Sequence, residues 1–393
     1  MIKNIYFIHR FHFNKSYYEN DNFQELKDKG YKVKYIDIVG LLKSSKLEDT
    51  CPENLKEDVI YINTKKEFKQ FLLKNRHNSI LATCVGLQVN SAWFYRSISQ
   101  SNIPYIFLDV NFFPQLKSSN KIKSVSTKIK RIFEKIAPKY LILKGIRSID
   151  YYYTKFILKP SVAILYVKSP IRKRVLKLRD NDTKLIKTNS NDWNTANRSD
   201  LKIIDSNNYL VFIDQYIPHH PDFIARNIDL KFTAKEYYNE LNASLDNISK
   251  ASGLEVIIAA HPRRMGENEY NFPLYNNETS NLIKYSKLVL AHYSTAVNFA
   301  AIHNVPLQFL TSNLLQRSYI GRNIEDMAFT FNKKPINSST EQFNKENFQS
   351  LLNIDNLAYS EYIKKNLAPS DCSKTGDIII EVIASLALRE NQI

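Results

Sequence analysis

Polar side chains that could bind an anion or move a proton follow three apolar runs in the second half of the chain. The runs Tyr209–Ile213, Val256–Ala260 and Lys287–Ala291 each end abruptly in a polar cluster. The residues of interest in these clusters are Asp214, Gln215, His219, His220, Asp222, His261, Pro262, Arg263, Arg264, Ser294 and Thr295. Short apolar runs separated by helical patterns predict parallel strands, and ligands of open α/β sheets bind at the carboxyl ends of such strands. We therefore expect one ligand site at this edge.

The segment from His261 to Arg264 has the chemistry of a phosphate site. Imidazole and guanidinium groups at a strand end can hydrogen-bond and neutralise a diphosphate or phosphodiester. They would also stabilise the charge of a departing nucleotide without a metal, which makes His261 a catalytic candidate. Ser294 and Thr295 precede a helical pattern, so their hydroxyls and the N–H groups of a helix N-terminus would form the matching half of the anion site. The alternative for the segment from His261 to Arg264 is a surface loop, and the alternative for Ser294 and Thr295 is plain helix capping.

Asp214 directly follows a predicted strand, so its carboxylate could act as a general base or as a nucleophile. A structural carboxylate that caps the next loop is the alternative. His219, His220 and Asp222 resemble a ligand cluster, but adjacent histidines point apart in extended backbone and no paired metal motif accompanies them. We therefore expect these three residues to line an acceptor site or cleft, without a metal.

Two further candidates lie outside the three clusters. Thr279 could contact the ribose or base of a donor, with helix capping as the stronger alternative. Asp192, beside Trp193, could line a cleft between domains, or it could form an ordinary turn anchored by the aromatic ring. Gln215 joins His261, Pro262, Arg263, Arg264, Ser294 and Thr295 as a predicted donor-binding residue.

The elements that must position these residues form a repeating strand and helix pattern, which predicts an α/β protein. In the first half the predicted strands are Ile5–Ile8, Lys32–Val39, Val59–Ile62, Ile80–Val85, Pro104–Leu108, Tyr140–Leu143 and Val162–Tyr166. His9 and His12 follow the first strand, and a loop pair without a ligand is the favoured interpretation. This half resembles a nucleotide-binding domain, although it has neither a GxGxxG motif nor a P-loop.

The domain prediction places a Rossmann-like, acceptor-binding domain at residues 1–200 and a nucleotide-sugar-binding domain at residues 205–335. A polar stretch between them marks the boundary. In the second domain, Thr233 followed by Glu236 predicts the start of a helix and Gly253 predicts its end. Residues 336–393 are predicted to be helices that pack back on the first domain.

Composition narrows the class of protein. Apolar residues at 44% and charged residues at 24% are typical of globular proteins. The absence of a long apolar run argues against a membrane span, and three separated cysteines favour a reduced, cytoplasmic protein.

The formal net charge is +16, which favours an acidic substrate or peripheral contact with an anionic membrane. No recognised nucleic-acid-binding module accompanies the charge, so we do not expect nucleic acid as a partner. Basic residues concentrate at 117–139 and 168–179.

The second half resembles the GT-B glycosyltransferases of bacterial surface polysaccharide assembly. The residues that carry the resemblance are Phe212-Ile213-Asp214-Gln215, His219-His220-Pro221-Asp222, Ile258-Ala259-Ala260-His261-Pro262-Arg263, His292-Tyr293-Ser294-Thr295-Ala296 and Pro306. The His-Pro and Ser-Thr motifs are similar to those of bacterial sialyltransferases and Kdo transferases, which use CMP-activated acidic sugars. The resemblance implies that His261, Ser294 and Thr295 contact the nucleotide phosphate and that Asp214 matches the nucleophile of retaining Kdo enzymes.

The resemblance implies a metal-independent glycosyltransferase with two Rossmann-like domains facing a central cleft. Its donor would be a nucleotide sugar, and its acceptor a capsule, O-antigen or lipopolysaccharide glycan at the inner face of the cytoplasmic membrane. A phospho-polyol transferase with a CDP-linked donor and an inactive glycan-binding scaffold of the same fold are the alternatives.

Overall fold

The computed structural model describes residues 2–42, 51–110, 138–168, 170–198, 200–220, 223, 228–264, 266–341, 343–368 and 375–390. These residues form two compact units. The first contains residues 2–110, 138–189 and 375–390, and the second contains residues 190–368. Within the described part of the chain, no helix combines the length and apolar character needed to cross a membrane.

In the first unit the described residues form a parallel sheet of seven strands in the order β3-β2-β1-β4-β5-β6-β7. The strands are β1 Asn4–Ile8, β2 Lys32–Asp37, β3 Val59–Tyr61, β4 Ser79–Thr83, β5 Tyr105–Asp109, β6 Ala163–Tyr166 and β7 Lys184–Lys187. The helices are α1 Lys15–Asn20, α2 Phe23–Asp28, α3 Val39–Leu42, α4 Lys65–Asn75, α5 Ala92–Ser101 and α6 Pro138–Phe156, with 3-10 turns at Glu53–Asp58, Val89–Ser91 and Leu176–Leu178. Separate apolar clusters cover the two faces of this sheet.

The predicted strand Tyr140–Leu143 is wrong, because these residues belong to the 19-residue helix α6. A run of four apolar residues has no period of its own, so it fits a buried strand and a helix equally well. Here the run lies within a helical pattern of 19 residues, and this length favours a helix over a strand. The basic segment at 117–139 lies almost entirely outside the described residues.

In the second unit the described residues form a parallel sheet of six strands in the order β10-β9-β8-β11-β12-β13. The strands are β8 Tyr209–Ile213, β9 Glu255–Ala259, β10 Leu274–Tyr275, β11 Leu288–Ala291, β12 Leu307–Thr311 and β13 Ile336–Asn337. The helices are α7 Asn191–Ala196, α8 Ala234–Ser252, α9 Thr279–Lys284, α10 Val297–Ile302, α11 Asn313–Gln316, α12 Tyr319–Thr330, α13 Lys345–Leu351 and α14 Asn356–Asn366, with a 3-10 turn at Ile217–His219. The three strands predicted to precede the polar clusters are confirmed.

Helix α8 shows how local chemistry sets an element of this unit. Thr233 accepts a hydrogen bond from the N–H of Glu236, and the Glu236 carboxylate accepts one from the N–H of Thr233. Gly253 ends the helix in the left-handed region at φ 71°, where a residue without a Cβ is favoured. The predicted start and end of this helix are both confirmed.

The C-terminal residues divide between the two units. Helices α13 and α14 contribute Phe348, Tyr359 and Tyr362 to the apolar core of the second unit. Helix α15, Thr375–Glu390, belongs to the first unit, where Ile378, Ile379 and other apolar side chains join the core under the sheet. The expectation that residues 336–393 pack together on the first domain is therefore wrong for α13 and α14, because their apolar faces are buried in the second unit.

Candidate functional site

The predicted site lies at the carboxyl edge of the second sheet. Ile213 at the end of β8 pairs in register with Ala259 of β9 on one side and with Ala291 of β11 on the other. Neighbouring strands are about 4.8 Å apart, so the ends of β9 and β11 are separated by about 10 Å. The polar segments after these three strands therefore start from one row of the same sheet edge.

Asp214 forms the buried centre of this edge. One carboxylate oxygen, Oδ1, accepts hydrogen bonds from the backbone N–H of Tyr216 at 2.6 Å and from the Tyr270 hydroxyl at 2.8 Å. The other, Oδ2, accepts one from Arg264 Nη1 at 2.8 Å and a longer one from the His261 N–H at 3.3 Å. Its side chain is 0% exposed and that of Arg264 is 3% exposed.

This network overturns two expectations of the sequence. Asp214 cannot act as base or nucleophile in this arrangement, because both oxygens accept from the protein and water or substrate has no access to them. Arg264 is likewise held away from a donor, since it also pairs with Glu269 and lies against the rings of Tyr216, Tyr238 and Tyr270. The structural alternative for Asp214 fits the geometry, and Arg264 is its buried counterion.

We expect Asp214→Asn to destabilise the fold by about 3 to 5 kcal/mol, because it leaves the buried Arg264 guanidinium without its counterion. The matched control is Asp246→Asn, which removes an ion pair with Lys250 whose side chains are 50% and 73% exposed. That exposed pair should contribute at most about 0.5 kcal/mol. Urea unfolding measures both values, and equal effects of the two substitutions would contradict the structural role of Asp214.

Asp214 and Gln215 together hold the two flanking loops. Asp214 accepts from the N–H of His261 after β9, and Gln215 Oε1 accepts from the N–H of Tyr293 after β11, at 2.6 Å. Gln215 therefore holds this loop through Oε1, and the donor contact predicted for this partly exposed residue stays a prediction. Two consecutive residues after the central strand fix the backbone of the predicted phosphate-binding loops on either side.

The three histidines His219, His220 and His261 at this edge have different surroundings. The rings of His220 and His261 lie 5.0 Å apart at an angle of 66°, and both side chains are partly exposed. His261 Nδ1 accepts a hydrogen bond from the backbone N–H of Arg263 at 3.1 Å. His219 instead has Nε2 3.0 Å from Glu269 Oε1. His220 thus joins His261 as a candidate ligand contact, whereas His219 contributes to the network around Arg264.

The remaining residues of these segments differ in accessibility. Pro262 is exposed and Arg263 is partly exposed, so both can meet a ligand. Asp222 lies outside the described residues. In the part of the chain that the structure describes, no group of three His, Cys, Asp or Glu residues could hold a metal ion.

Ser294 and Thr295 lie in the turn that enters α10. Ser294 Oγ accepts from the Ala296 N–H at 3.2 Å, and the Thr295 carbonyl accepts from the Asn298 N–H at 3.0 Å. The helix starts at Val297 and has only six residues. The two hydroxyl residues therefore precede the helix rather than occupying its first turn, but they stay partly exposed at the predicted edge.

Thr279 lies elsewhere in the unit. It is the first residue of α9, and the hydroxyl of the next residue, Ser280, is 3.1 Å from Nε2 of His303. His303 directly follows the C-terminal end of α10, whereas Ser294 and Thr295 precede the N-terminal end. The surroundings of Thr279 therefore do not support the predicted donor contact, because its neighbour Ser280 contacts the end of α10 opposite to Ser294 and Thr295.

Asp192 is the sequence-predicted residue whose environment differs most from that of an ordinary carboxylate. It lies on α7, which begins after the N-cap Ser190. Its Oδ2 accepts a hydrogen bond from the Asn298 amide at 2.6 Å, and the Tyr362 hydroxyl donates to the other end of that amide at 2.6 Å. Burial raises the pKa of Asp192 to about 6, while the bond from Asn298 acts in the opposite direction. Since the Asn298 N–H bonds to Thr295, Asp192 is one helical turn from the Ser-Thr segment.

The side chain of His292 stabilises the core of the site and does not contact a ligand. Its Nδ1 lies 2.7 Å from the Leu310 carbonyl oxygen, so this nitrogen donates, and Nε2 is 3.1 Å from the Tyr237 hydroxyl. Burial lowers the pKa of His292 to about 4. The neutral imidazole therefore supports the β11 end at physiological pH.

The lowered pKa of His292 predicts acid sensitivity. Between about pH 6.5 and pH 4 the unfolded chain binds a proton at this residue and the folded chain does not, so the free energy of unfolding falls as pH decreases. We expect His292→Gln to reduce the loss of stability between pH 7 and pH 4.5 by about 2 kcal/mol, measured by urea unfolding. His77→Gln, at an exposed histidine, is the control. An unchanged pH dependence in the His292 variant would contradict the buried neutral imidazole.

Comparison with known proteins identifies the fold. No family model matches the chain, and no curated protein matches it in sequence. Among solved structures, a variant of the wall teichoic acid polymerase TagF is similar with a TM-score of 0.54 and 11% identity, over 99% of this chain and 90% of that chain. The UDP-GlcNAc 2-epimerase of Methanocaldococcus jannaschii is similar with a TM-score of 0.50 and 13% identity, over 97% and 99%. The chain has the GT-B fold, and the prediction of two parallel α/β domains is confirmed.

Proposed function

We propose that the chain is a glycosyltransferase that moves a sugar from a nucleotide donor to a bacterial surface glycan. One observation carries the proposal: Asp214 and Gln215 tie the His261 loop and the Tyr293-Ser294-Thr295 loop to the same edge of the sheet. Ligands of open α/β sheets bind at this edge. The two loops carry an imidazole, an arginine and two hydroxyls, and this set would suit the phosphate of a nucleotide sugar.

The proposed reaction forms one bond to the anomeric carbon of the sugar and breaks another. The acceptor oxygen forms a bond to the anomeric carbon, the bond from that carbon to the donor phosphate breaks, and the nucleotide leaves with the electron pair. His261, with Arg263 beside it, stabilises the growing negative charge of the leaving phosphate. Ser294 and Thr295 donate to the same phosphate from the other loop.

Asp192 is the general base of this proposal in place of Asp214. An acceptor hydroxyl must lose its proton as the glycosidic bond forms, and a carboxylate with a pKa of about 6 is ionised at neutral pH yet more basic than an ordinary aspartate. Its link through Asn298 to Thr295 keeps it beside the donor loop, and, unlike Asp214, it is partly exposed.

The motif resemblance supports a CMP-activated acidic sugar, of the Kdo or sialic acid type, as donor. The formal net charge of +16 suits an acidic donor, an acidic glycan, and contact with the inner face of the cytoplasmic membrane. Metal-independent transfer is part of the same proposal, because protein donors take the place of a cation at the phosphate.

The experiment is a donor screen with purified protein. CMP-, UDP- and GDP-linked sugars and CDP-linked polyols are incubated with capsule, O-antigen and lipopolysaccharide acceptors, with and without EDTA, and the released nucleotide is measured. We expect CMP release from a CMP-sugar that EDTA does not suppress. If no donor is turned over and no nucleotide raises the melting temperature, the inactive scaffold replaces the transferase.

A phospho-polyol transferase is the second candidate, because the similarity to the wall teichoic acid polymerase TagF extends over 99% of this chain. Such an enzyme would break the diphosphate bond of a CDP-linked donor and transfer a polyol phosphate. CMP would again be released, so the donor and the transferred group distinguish the two reactions. Phosphorus in the product would favour this candidate over a glycosyltransferase.

A further inference from the structure

Three side chains of the first unit form a linear polar arrangement at the carboxyl edge of its sheet. Nε2 of His9 lies 2.6 Å from Asp21 Oδ2, and Nδ1 lies 3.1 Å from Cys84 Sγ. His9 directly follows β1 and Cys84 directly follows β4, whose ends pair in register at Ile8 and Thr83. The adjacent strands thus bring the imidazole and the thiol together, and the α1 C-cap residue Asp21 completes the arrangement.

The arrangement is buried at the carboxylate end and open at the thiol end. His9 and Asp21 are each 1% exposed, whereas Cys84 is partly exposed. The imidazole stacks on Tyr17 with ring centroids 4.3 Å apart and an angle of 3°, and Tyr35 lies 5.8 Å away. The aromatic rings fix the imidazole plane and shield it, so a reagent from solvent meets the sulfur first.

The charge of His9 follows from this environment. Burial alone would lower the pKa of His9, but the carboxylate of Asp21 and the sulfur of Cys84 outweigh burial and raise it to about 10. The ring therefore carries a proton on both nitrogens at neutral pH and can donate to the carboxylate and to the sulfur. A cationic group within hydrogen-bond distance of a sulfur is the setting in which reactive cysteines are found.

We infer that Cys84 is a reactive thiolate, held and activated by His9 and Asp21, that forms covalent adducts with small electrophiles such as hydrogen peroxide. The order along the three groups is that of a nucleophile, an imidazole that exchanges protons with it and an orienting carboxylate. Nothing in glycosyl transfer requires a thiol, since the groups that react there are oxygens and an anomeric carbon. The proposed reactivity of Cys84 is therefore independent of glycosyl transfer, and its test does not depend on that function.

The reaction with peroxide balances with the groups present. The sulfur attacks one peroxide oxygen, an S–O bond forms, the O–O bond breaks, and the leaving hydroxide takes the proton of the His9 imidazolium to become water. The product is a sulfenic acid on Cys84 beside a neutral imidazole, which regains a proton from solvent. Two equivalents of a small thiol restore the cysteine, yielding a disulfide of that thiol and water.

The experiment maps the three cysteines of the full chain by mass spectrometry. Protein is treated with hydrogen peroxide and a dione that traps sulfenic acids, or with iodoacetamide, at pH 7. We expect Cys84 to react at least tenfold faster in the native protein than in the urea-unfolded chain, whereas the buried Cys51 should react more slowly in the native protein. A structural thiol would be shielded, so slower reaction of Cys84 in the native protein overturns the inference.

Variants separate activation by His9 from simple exposure. We expect His9→Gln and Asp21→Asn to lower the native reaction rate of Cys84 at least tenfold, while the exposed control His77→Gln leaves it unchanged. Melting curves show whether each variant is folded. A folded His9→Gln protein in which Cys84 reacts at the wild-type rate contradicts the inference. If the variant does not fold, the comparison of Cys84 reaction rates in the native and unfolded wild type tests the inference instead.

Discussion

Asp192→Asn is expected to lower kcat at least about 100-fold while the affinity for the nucleotide stays unchanged. General base catalysis contributes roughly 100-fold to 10,000-fold to enzymatic rates, and an amide cannot accept the proton of an acceptor hydroxyl. The substitution is nearly isosteric, and its carbonyl oxygen can still accept the hydrogen bond that Asn298 donates to Asp192. The loss should therefore be one of chemistry and not of structure.

The raised pKa of Asp192 adds a stability prediction of defined sign. A carboxyl whose pKa is raised to about 6 binds its proton more tightly in the folded state, so its contribution to stability is present at low pH and is lost as pH rises through 6. Asp192→Asn should accordingly have an unchanged or higher melting temperature at pH 7.5. In the wild type, kcat/KM should rise with pH to a plateau above about 6.

The control for Asp192 is Asp205→Asn, because Asp205 is an exposed aspartate of the same unit. This substitution should leave kcat and the melting temperature as they are. A variant Asp192→Asn with wild-type kcat would contradict the role of the carboxylate as base. A large loss of melting temperature would show instead that Asp192 is a structural residue, as the alternative interpretation of the sequence has it.

His261→Ala is expected to lower kcat/KM for the donor by about 100-fold to 1,000-fold. Removing one preorganised donor to a developing negative charge costs about this much in enzymes that stabilise such charge through hydrogen bonds. The backbone of the loop should persist, because the His261 N–H bonds to Asp214 independently of the side chain. The effect should therefore fall on turnover, with the melting temperature within a few degrees of the wild type.

His303→Gln provides a matched control for His261. His303 follows the C-terminal end of α10 and contacts the hydroxyl of Ser280, a contact that glutamine can retain. Turnover in this variant should equal that of the wild type. Full turnover in a folded His261→Ala variant would remove that histidine from the mechanism and leave phosphate binding to the hydroxyl loop alone.

The positions of the strands could be predicted from the sequence, but the direction of the polar side chains after them could not. The run Tyr209–Ile213 is apolar throughout and bounded by polar residues, so its strand matched the prediction. Asp214 and Arg264 are fifty positions apart, and only the folded loops show that the arginine turns inward to the carboxylate. The pattern alone suggested that both faced a ligand.

Long-range pairs account for the other differences. His9, Asp21 and Cys84 belong to separate elements, and the adjacency of β1 and β4 that brings His9 to Cys84 depends on the order of strands in the sheet. Thr279 starts a helix as expected, but the contact of its neighbour Ser280 with His303 at the end of α10 joins residues 23 positions apart. Helix α8 was predictable at both ends, because its capping residues act within one turn of the chain.

The most direct test of the donor site is the binding of CMP, CDP, UDP and GDP to the wild type, the Ser294→Ala/Thr295→Val double variant and Thr279→Val, measured by isothermal titration calorimetry. Hydrogen bonds to a charged phosphate contribute about 1.5 to 3 kcal/mol each, so loss of the two hydroxyls should weaken binding at least about tenfold. We predict that one cytidine nucleotide binds the wild type and Thr279→Val equally and binds the double variant at least tenfold more weakly. Equal affinity in the double variant, or no nucleotide binding by the wild type, would contradict the donor site at this edge.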